Sequence, residues 1–240
     1  MLSCLTLTLA LALPAADDPK AVVEKAVKAH GGADLLAKYK GYKAPFRGTV
    51  FAMGMEIELK GEILNLYPDK AKVTGTLTVG GMDLPLVQVV NGSKLSMSIG
   101  GNALPVPDEQ AADAVASMYV QSLTRLTPLV TADYTLKPAD GLEVDGKKAV
   151  GVLVSHKDKP DVTLHFDAES GVLVRSSRKG RGEDGGEAER VTVYADYKAA
   201  GGVQMPHRTT VTLGGNKSSE SAIEKYEMLE TVDAGLFGTD

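Results

Sequence analysis

The sequence predicts an α+β protein, mainly β: a single large curved antiparallel sheet of about 11–12 strands, with helices on its concave face. Three observations carry this. Residues 150–237 read as one short strand after another, each alternating apolar and polar side chains and each closed by Gly, Pro, Asp or Asn. Residues 42–99 repeat the pattern. The helical segments precede and separate these two blocks instead of alternating with strands, which disfavours a parallel α/β sheet. A dozen strands in one sheet must curl or flatten.

The elements follow in order. Residues 1–16 carry no charged side chain, and the apolar run 5–13 is followed by Pro14, Ala15, Ala16 and the acidic pair Asp17 and Asp18. The run is too short to span a bilayer as a helix. It reads as a secretory signal peptide cleaved near Ala16, although no Lys or Arg precedes it. The mature chain is then 17–240 in one domain, with no membrane-spanning segment. Cys4, the one cysteine, falls in the removed segment, so the mature protein is expected to have no disulfide, thiol nucleophile or cysteine metal site.

Residues 19–39 form a helical segment: Val22, Val23, Ala26, Val27 and Ala29 recur at helical spacing, and Gly31-Gly32 interrupts it. Five strands are expected at 42–53, 56–67, 70–79, 82–90 and 94–99, with turns at Pro68-Asp69, Gly80-Gly81 and Asn91-Gly92. Asn-Gly is a hairpin signal because both central positions of a type I′ turn need positive φ. Residues 107–126 are an amphipathic helix with Pro107 and Asp108 in its first turn and Pro128 as its stop. Ala111, Val115, Met118, Tyr119, Ser122, Leu123 and Leu126 form its apolar stripe. Further strands are expected at 134–137, 148–156, 162–167, 172–178, 189–197, 203–213 and 219–230, with an exposed, Gly-rich charged loop over 179–187.

Composition narrows the function. Hydrophobic content of 43% supports a buried core, and the net charge of −5 disfavours a nucleic-acid binder. With no Trp and 5% aromatic residues, stacking platforms for bases or sugars are not expected to dominate a site. No nucleophile elbow, zinc-helix motif or phosphate loop is present. Gly31-Gly32, Gly80-Gly81, Gly100-Gly101, Gly201-Gly202 and Gly214-Gly215 read as turns. Glu56, Glu58 and Glu62 alternate with apolar residues, as a solvated strand face does. His165 and Asp167, two apart on a strand, could meet His207 in a metal or acid–base site. The simpler expectation is that they lie on the solvated face opposite Val162, Leu164 and Phe166. His30 reads as a helix-end residue and His156 as the head of a charged turn.

Five stretches follow one another in order: 65–73 (Asn-Leu-Tyr-Pro-Asp-Lys-Ala-Lys-Val), 89–94 (Val-Val-Asn-Gly-Ser-Lys), 164–174 with its Asp-x-x-x-Gly hairpin, 194–207 with Asp-Tyr, Gly-Gly-Val and Pro, and the closing 232–237. In this order they resemble the LolA-like superfamily of periplasmic lipoprotein carriers and outer-membrane lipoprotein-sorting proteins. The resemblance covers most of the chain from Ala21 onward and implies an unclosed β-barrel whose helices cover a hydrophobic cavity for acyl chains. It also implies an inward arginine near the start of the barrel, for which Arg47 lies in the right region. The low aromatic content departs from an aromatic-lined acyl pocket.

The expected cavity lining combines the apolar strand face, Ile57, Leu59, Ile63, Val73, Leu77, Leu84, Leu86, Leu95 and Met97, with Met118 and Leu123 of the helix and with Arg47. Periodicity does not separate a lined cavity from a filled core. The leading expectation is a secreted or periplasmic, non-enzymatic protein without cofactor or metal, binding a lipid or lipoprotein acyl chain. Each buried methylene would contribute about 0.8 kcal/mol. The alternative is an envelope protein–protein interaction module with a filled core. An enzyme built on His165, Asp167 and His207 comes third.

Overall fold

A computed structural model describes residues 18–52, 54–182 and 185–238. The expected signal peptide and Cys4 lie outside the described residues. Helix α1 (Pro19–Ala29) starts where Asp18 Oδ1 accepts from the Lys20 amide at 3.1 Å and Pro19 takes the first turn. It buries Val23, Ala26 and Val27. Gly31 (φ +117°) turns the chain into α2 (Ala33–Lys38), and a Cβ there would come within 2.6 Å of the Gly202 carbonyl oxygen. The elbow thus sits directly against a sheet hairpin.

The strands are β1 (Gly41–Ala52), β2 (Met55–Leu66), β3 (Lys70–Val79), β4 (Met82–Asn91), β5 (Lys94–Ile99) and β6 (Asn102–Leu104) before helix α3 (Asp108–Leu123). After a 3₁₀ turn at Thr127–Val130 come β7 (Tyr134–Val144), β8 (Lys147–His156), β9 (Val162–Asp167) and β10 (Leu173–Arg181). The last are β11 (Glu187–Ala200), β12 (Val203–Leu213), β13 (Asn216–Ile223) and β14 (Glu227–Leu229), then a 3₁₀ turn at Ala234–Phe237. All pairings are antiparallel in one 14-stranded sheet of order β6-β5-β4-β3-β2-β1-β13-β12-β11-β10-β9-β8-β7, with β14 also on β1. The two ends, β6 and β7, do not meet, so the barrel is unclosed.

The expected class holds, with local corrections. The strand expected to stop at 137 runs on to Val144, and Asp145-Gly146, both at positive φ, close a hairpin onto β8. Both flanks of the expected loop 179–187 are strand: β10 runs on to Arg181, which pairs with Glu187 at the start of β11. Opposite charges across the ladder, such as the Lys179–Glu187 ion pair, let a charged segment stay in a sheet. The expected strand 219–230 breaks into β13 and β14 at residues 224–226, where the Tyr226 hydroxyl donates to the Pro206 carbonyl at 2.7 Å. Helix α3 ends before Pro128, because Leu126 turns left-handed (φ +62°). At the Asn91-Gly92 hairpin only Gly92 has positive φ, at the first central position of a two-residue turn, so the turn is of the II′ kind.

Curvature comes from glycines inside strands. Gly61 of β2 and Gly75 of β3 face each other, and a Cβ on Gly61 would lie 2.2 Å from the Thr74 carbonyl oxygen. Side chains cannot occupy such a fold of the sheet; glycine kinks are how barrels turn corners. The filled core lies at the other end of the sheet. Val152, Val154, Val162, Leu164 and Phe166 are at most 1% exposed beneath Val23, Ala26 and Val27 of α1, Leu36 of α2 and Leu123 of α3. No described helix is long and apolar enough to cross a membrane.

Candidate functional site: a tyrosine-lined cavity under the helices

A cavity of about 280 Å³ lies between helices α2 and α3 and the inner face of β1 and β10–β13. Six of the eight tyrosines line it: Tyr39, Tyr42, Tyr67, Tyr194, Tyr197 and Tyr226. Apolar wall is added by Leu36, Ile63, Val120, Met205, Ile223 and Met228.

The rings are fixed. Tyr42 stands edge-on to Tyr226 at 5.1 Å and tilts against Tyr67 at 6.2 Å, and its hydroxyl accepts from Gln121 Nε2 at 2.6 Å. The Tyr197 hydroxyl donates to the Leu173 carbonyl at 2.5 Å, and Tyr39 to that of Gly201 at 3.0 Å. Tyr194 shares a hydrogen bond with Ser176 at 2.9 Å. Burial pushes five of these phenols up, Tyr67 to about 12, Tyr194 and Tyr226 above and Tyr42 and Tyr197 well above the usual tyrosine range. Those five hydroxyls therefore stay protonated and bring no charge to the cavity.

The charge comes from arginines. Arg178 and Arg190 face each other across β10 and β11 and both reach Asp113 of α3: Arg178 Nη2 to Oδ1 at 2.7 Å, Arg190 Nη2 to Oδ2 at 3.1 Å. At the opposite end Arg125 lies over the Tyr67 ring at 4.7 Å and donates to the Leu36 carbonyl at 2.7 Å. His30 also lines the cavity; its Nδ1 bonds the Ala26 carbonyl at 2.8 Å, so Nδ1 carries the proton. Burial, partly offset by that bond, lowers its pKa and keeps the ring neutral.

The expected lining residues are placed as follows. Ile63 lines the cavity. Ile57, Leu59, Val73, Leu77, Leu84, Leu86, Leu95 and Met97 share its face: Ile63 pairs with Val73, Leu59 with Leu77, Leu77 with Leu84, and Gln88 with Met97. They flank the cavity without lining it, and all but Leu86 are half-buried. Met118 and Leu123 are buried, Leu123 within the filled core. Arg47 is exposed and pairs with Lys60 on the opposite face of the sheet, beside a second, more open recess that Leu59 also borders. An inward Arg47 is thus not what the register allows, since its neighbour Phe46 takes the inner position.

The tyrosines were missed because period-two alternation puts residues three apart on opposite faces. Tyr194 and Tyr197 share the cavity because Asp196 between them is left-handed (φ +56°) and resets the alternation. Tyr226 enters from the break between β13 and β14. The signal available was the position of Tyr39, Tyr42, Tyr67 and Tyr226 at or just beyond strand ends.

The histidine readings are also corrected. His165 and Asp167 are buried, not solvated. Asp167 Oδ1 accepts from the Ser170 amide at 2.6 Å and the Ser170 hydroxyl at 2.7 Å, capping the β9–β10 turn; these bonds hold its carboxyl below the usual range. His165 Nε2 donates to the Asp140 carbonyl at 3.1 Å. His207 is on β12, with β10 and β11 between, roughly 14 Å away at the usual strand spacing. Among the described residues no group of three or more His, Cys, Asp or Glu could hold a metal.

Neither a protein-family model nor a curated protein matches the sequence. Solved structures do match. A LolA superfamily protein of Nitrosomonas europaea superposes with a TM-score of 0.55 at 13% identity, covering 92% of this chain and 98% of its own. A putative outer membrane lipoprotein-sorting protein domain of Vibrio parahaemolyticus gives 0.53 at 9% identity, covering 91% and 95%. A DUF1329 family protein of Desulfovibrio piger gives 0.57 at 11% identity, covering 92% and 98%.

The fold is LolA-like. At these identities the likeness establishes the architecture alone; this chain's cavity lies where its own helices cross the curved sheet.

Proposed function

We propose that this protein is an exported, non-enzymatic binder of a small lipid or acyl-bearing ligand, working in the periplasm or cell envelope. The observation that carries the reading is the cavity itself: mostly apolar, tyrosine-walled, and covered by α2 and α3 within a LolA-like fold. A structural neighbour described as a lipoprotein-sorting domain supports the same class. The cavity's 280 Å³ is at the lower edge of the roughly 300–1,000 Å³ typical of ligand pockets, which favours a single chain over several. A longer chain would extend along the half-buried face that carries Leu59, Val73, Leu77, Leu84 and Met97. Burial of methylenes would supply the affinity at about 0.8 kcal/mol each.

A second reading, an interaction surface for another envelope protein, is favoured by the exposed Met55 and Met82 at hairpin tips and by Leu104 on the edge strand β6. Native mass spectrometry with solvent extraction, on the mature protein purified from an envelope fraction, separates the two. A stoichiometric bound mass that moves into organic solvent is expected. A bare protein mass that takes up no added lipid would overturn the ligand reading.

A further inference from the structure

We infer that the cavity's ligand is an anionic amphiphile, a single acyl or alkyl chain whose acidic headgroup is held by Arg178 and Arg190. This rests on the ligand-binding reading and names its substrate class. The argument begins with charge balance. Two guanidiniums directly opposite each other on neighbouring strands repel. Asp113 bridges them and neutralises one. Among the described residues no aspartate or glutamate lines the cavity itself, whereas three arginines do. Arg125, the third, forms no ion pair among those residues. The wall therefore keeps a positive excess in a chain whose net charge is −5.

The second observation is hydrogen bonding. Arg178 has its side chain only 4% exposed, yet its Nε–H has no partner among the described residues; the Nε–H of Arg190, whose side chain is 24% exposed, has none either. A buried charged donor left unpaired is costly, and a carboxylate or phosphate that reaches it after a small shift of the guanidinium recovers that cost. The neutral tyrosine hydroxyls accept and donate but supply no counter-charge. The apolar wall then takes the chain while the arginine pair takes the acid.

The test compares dodecanoate, dodecyl phosphate and dodecanol as ligands of the mature full-length protein, by isothermal calorimetry at neutral pH. The expected result is that at least one anion binds about tenfold or more tightly than the alcohol. The ratio should fall in the variant Arg190→Gln and narrow as salt rises. Preference for dodecanoate or for dodecyl phosphate distinguishes a carboxylate from a phosphate headgroup. Equal affinity of acid and alcohol would overturn the headgroup assignment and leave the ligand reading standing. No binding of any of the three would overturn both. The wild-type comparison decides whether the headgroup is acidic even if Arg190→Gln fails to fold, and Arg125→Gln, expected to leave the ratio unchanged, keeps the assignment to Arg178 and Arg190 open to refutation.

Discussion

Two regions of one sheet carry equally apolar inner faces and meet different fates. On β8 and β9, Val152, Val154, Val162, Leu164 and Phe166 are sealed under the helices. On β2 to β5, Leu59, Val73, Leu77, Leu84 and Met97 are in direct cross-strand register and stay half-buried. The pattern of side chains is the same. The difference is the cover: α1, α2, the end of α3 and the 3₁₀ turn at Thr127–Val130 pack on the first region, and α3 meets the second chiefly at β5. The cavity sits at the boundary. An apolar face specifies that something apolar belongs on it, and in one half that partner is the chain itself.

The comparison breaks most visibly by truncation. Phe166→Ala should cost about 3–5 kcal/mol of folding stability, and Leu77→Ala about 1–2 kcal/mol, because only the first leaves a sealed void. Urea denaturation of the two variants checks this; equal losses would mean that both halves are packed alike. The next effect concerns the kink inside the half-buried β2–β5 region. Gly75→Ala puts a Cβ 2.2 Å from the Lys60 carbonyl oxygen and should cost about 1–3 kcal/mol while shifting α3 against the sheet. A thermal midpoint unchanged from wild type would remove Gly75 from the account of curvature.

Acid sharpens the contrast more gently. The four histidines all lie outside β2–β6, and burial lowers the pKa of both His30 and His165. A group whose folded pKa lies below its unfolded value takes up its proton more readily when unfolded. Its contribution is complete above about pH 6.5 and is lost as pH falls below that toward the folded value. Stability should therefore decline from neutral pH toward pH 5, with amides at the His30 elbow and around β9 exchanging before those of β2–β5. Hydrogen exchange at two pH values reads this, and His30→Gln should flatten the slope. A slope unaltered in His30→Gln would mean that His30 titrates normally.

Much of the fold was legible in local chemistry. The Gly-Gly pairs at 80–81, 100–101, 201–202 and 214–215 each turn a hairpin with both φ positive, as their sequence requires. The alternation of Ile57, Leu59 and Ile63 identified the correct face. The interior glycines Gly61 and Gly75 were less legible, because an isolated glycine in a strand pattern does not say which backbone approaches it. The site was least legible. Tyr194 and Tyr197 needed the left-handed Asp196, and the Asp113–Arg178 contact joins residues 65 apart in sequence.

The sequence by itself determined the antiparallel class, the hairpin order and the apolar face, because each depends on residues within a turn or a few strand positions of one another. Only the tertiary structure decided where the sheet bends, which half the helices seal, and which tyrosines and arginines converge on the cavity. Those outcomes depend on contacts between distant segments, whose closure is a property of the whole curved sheet and is written in no local pattern.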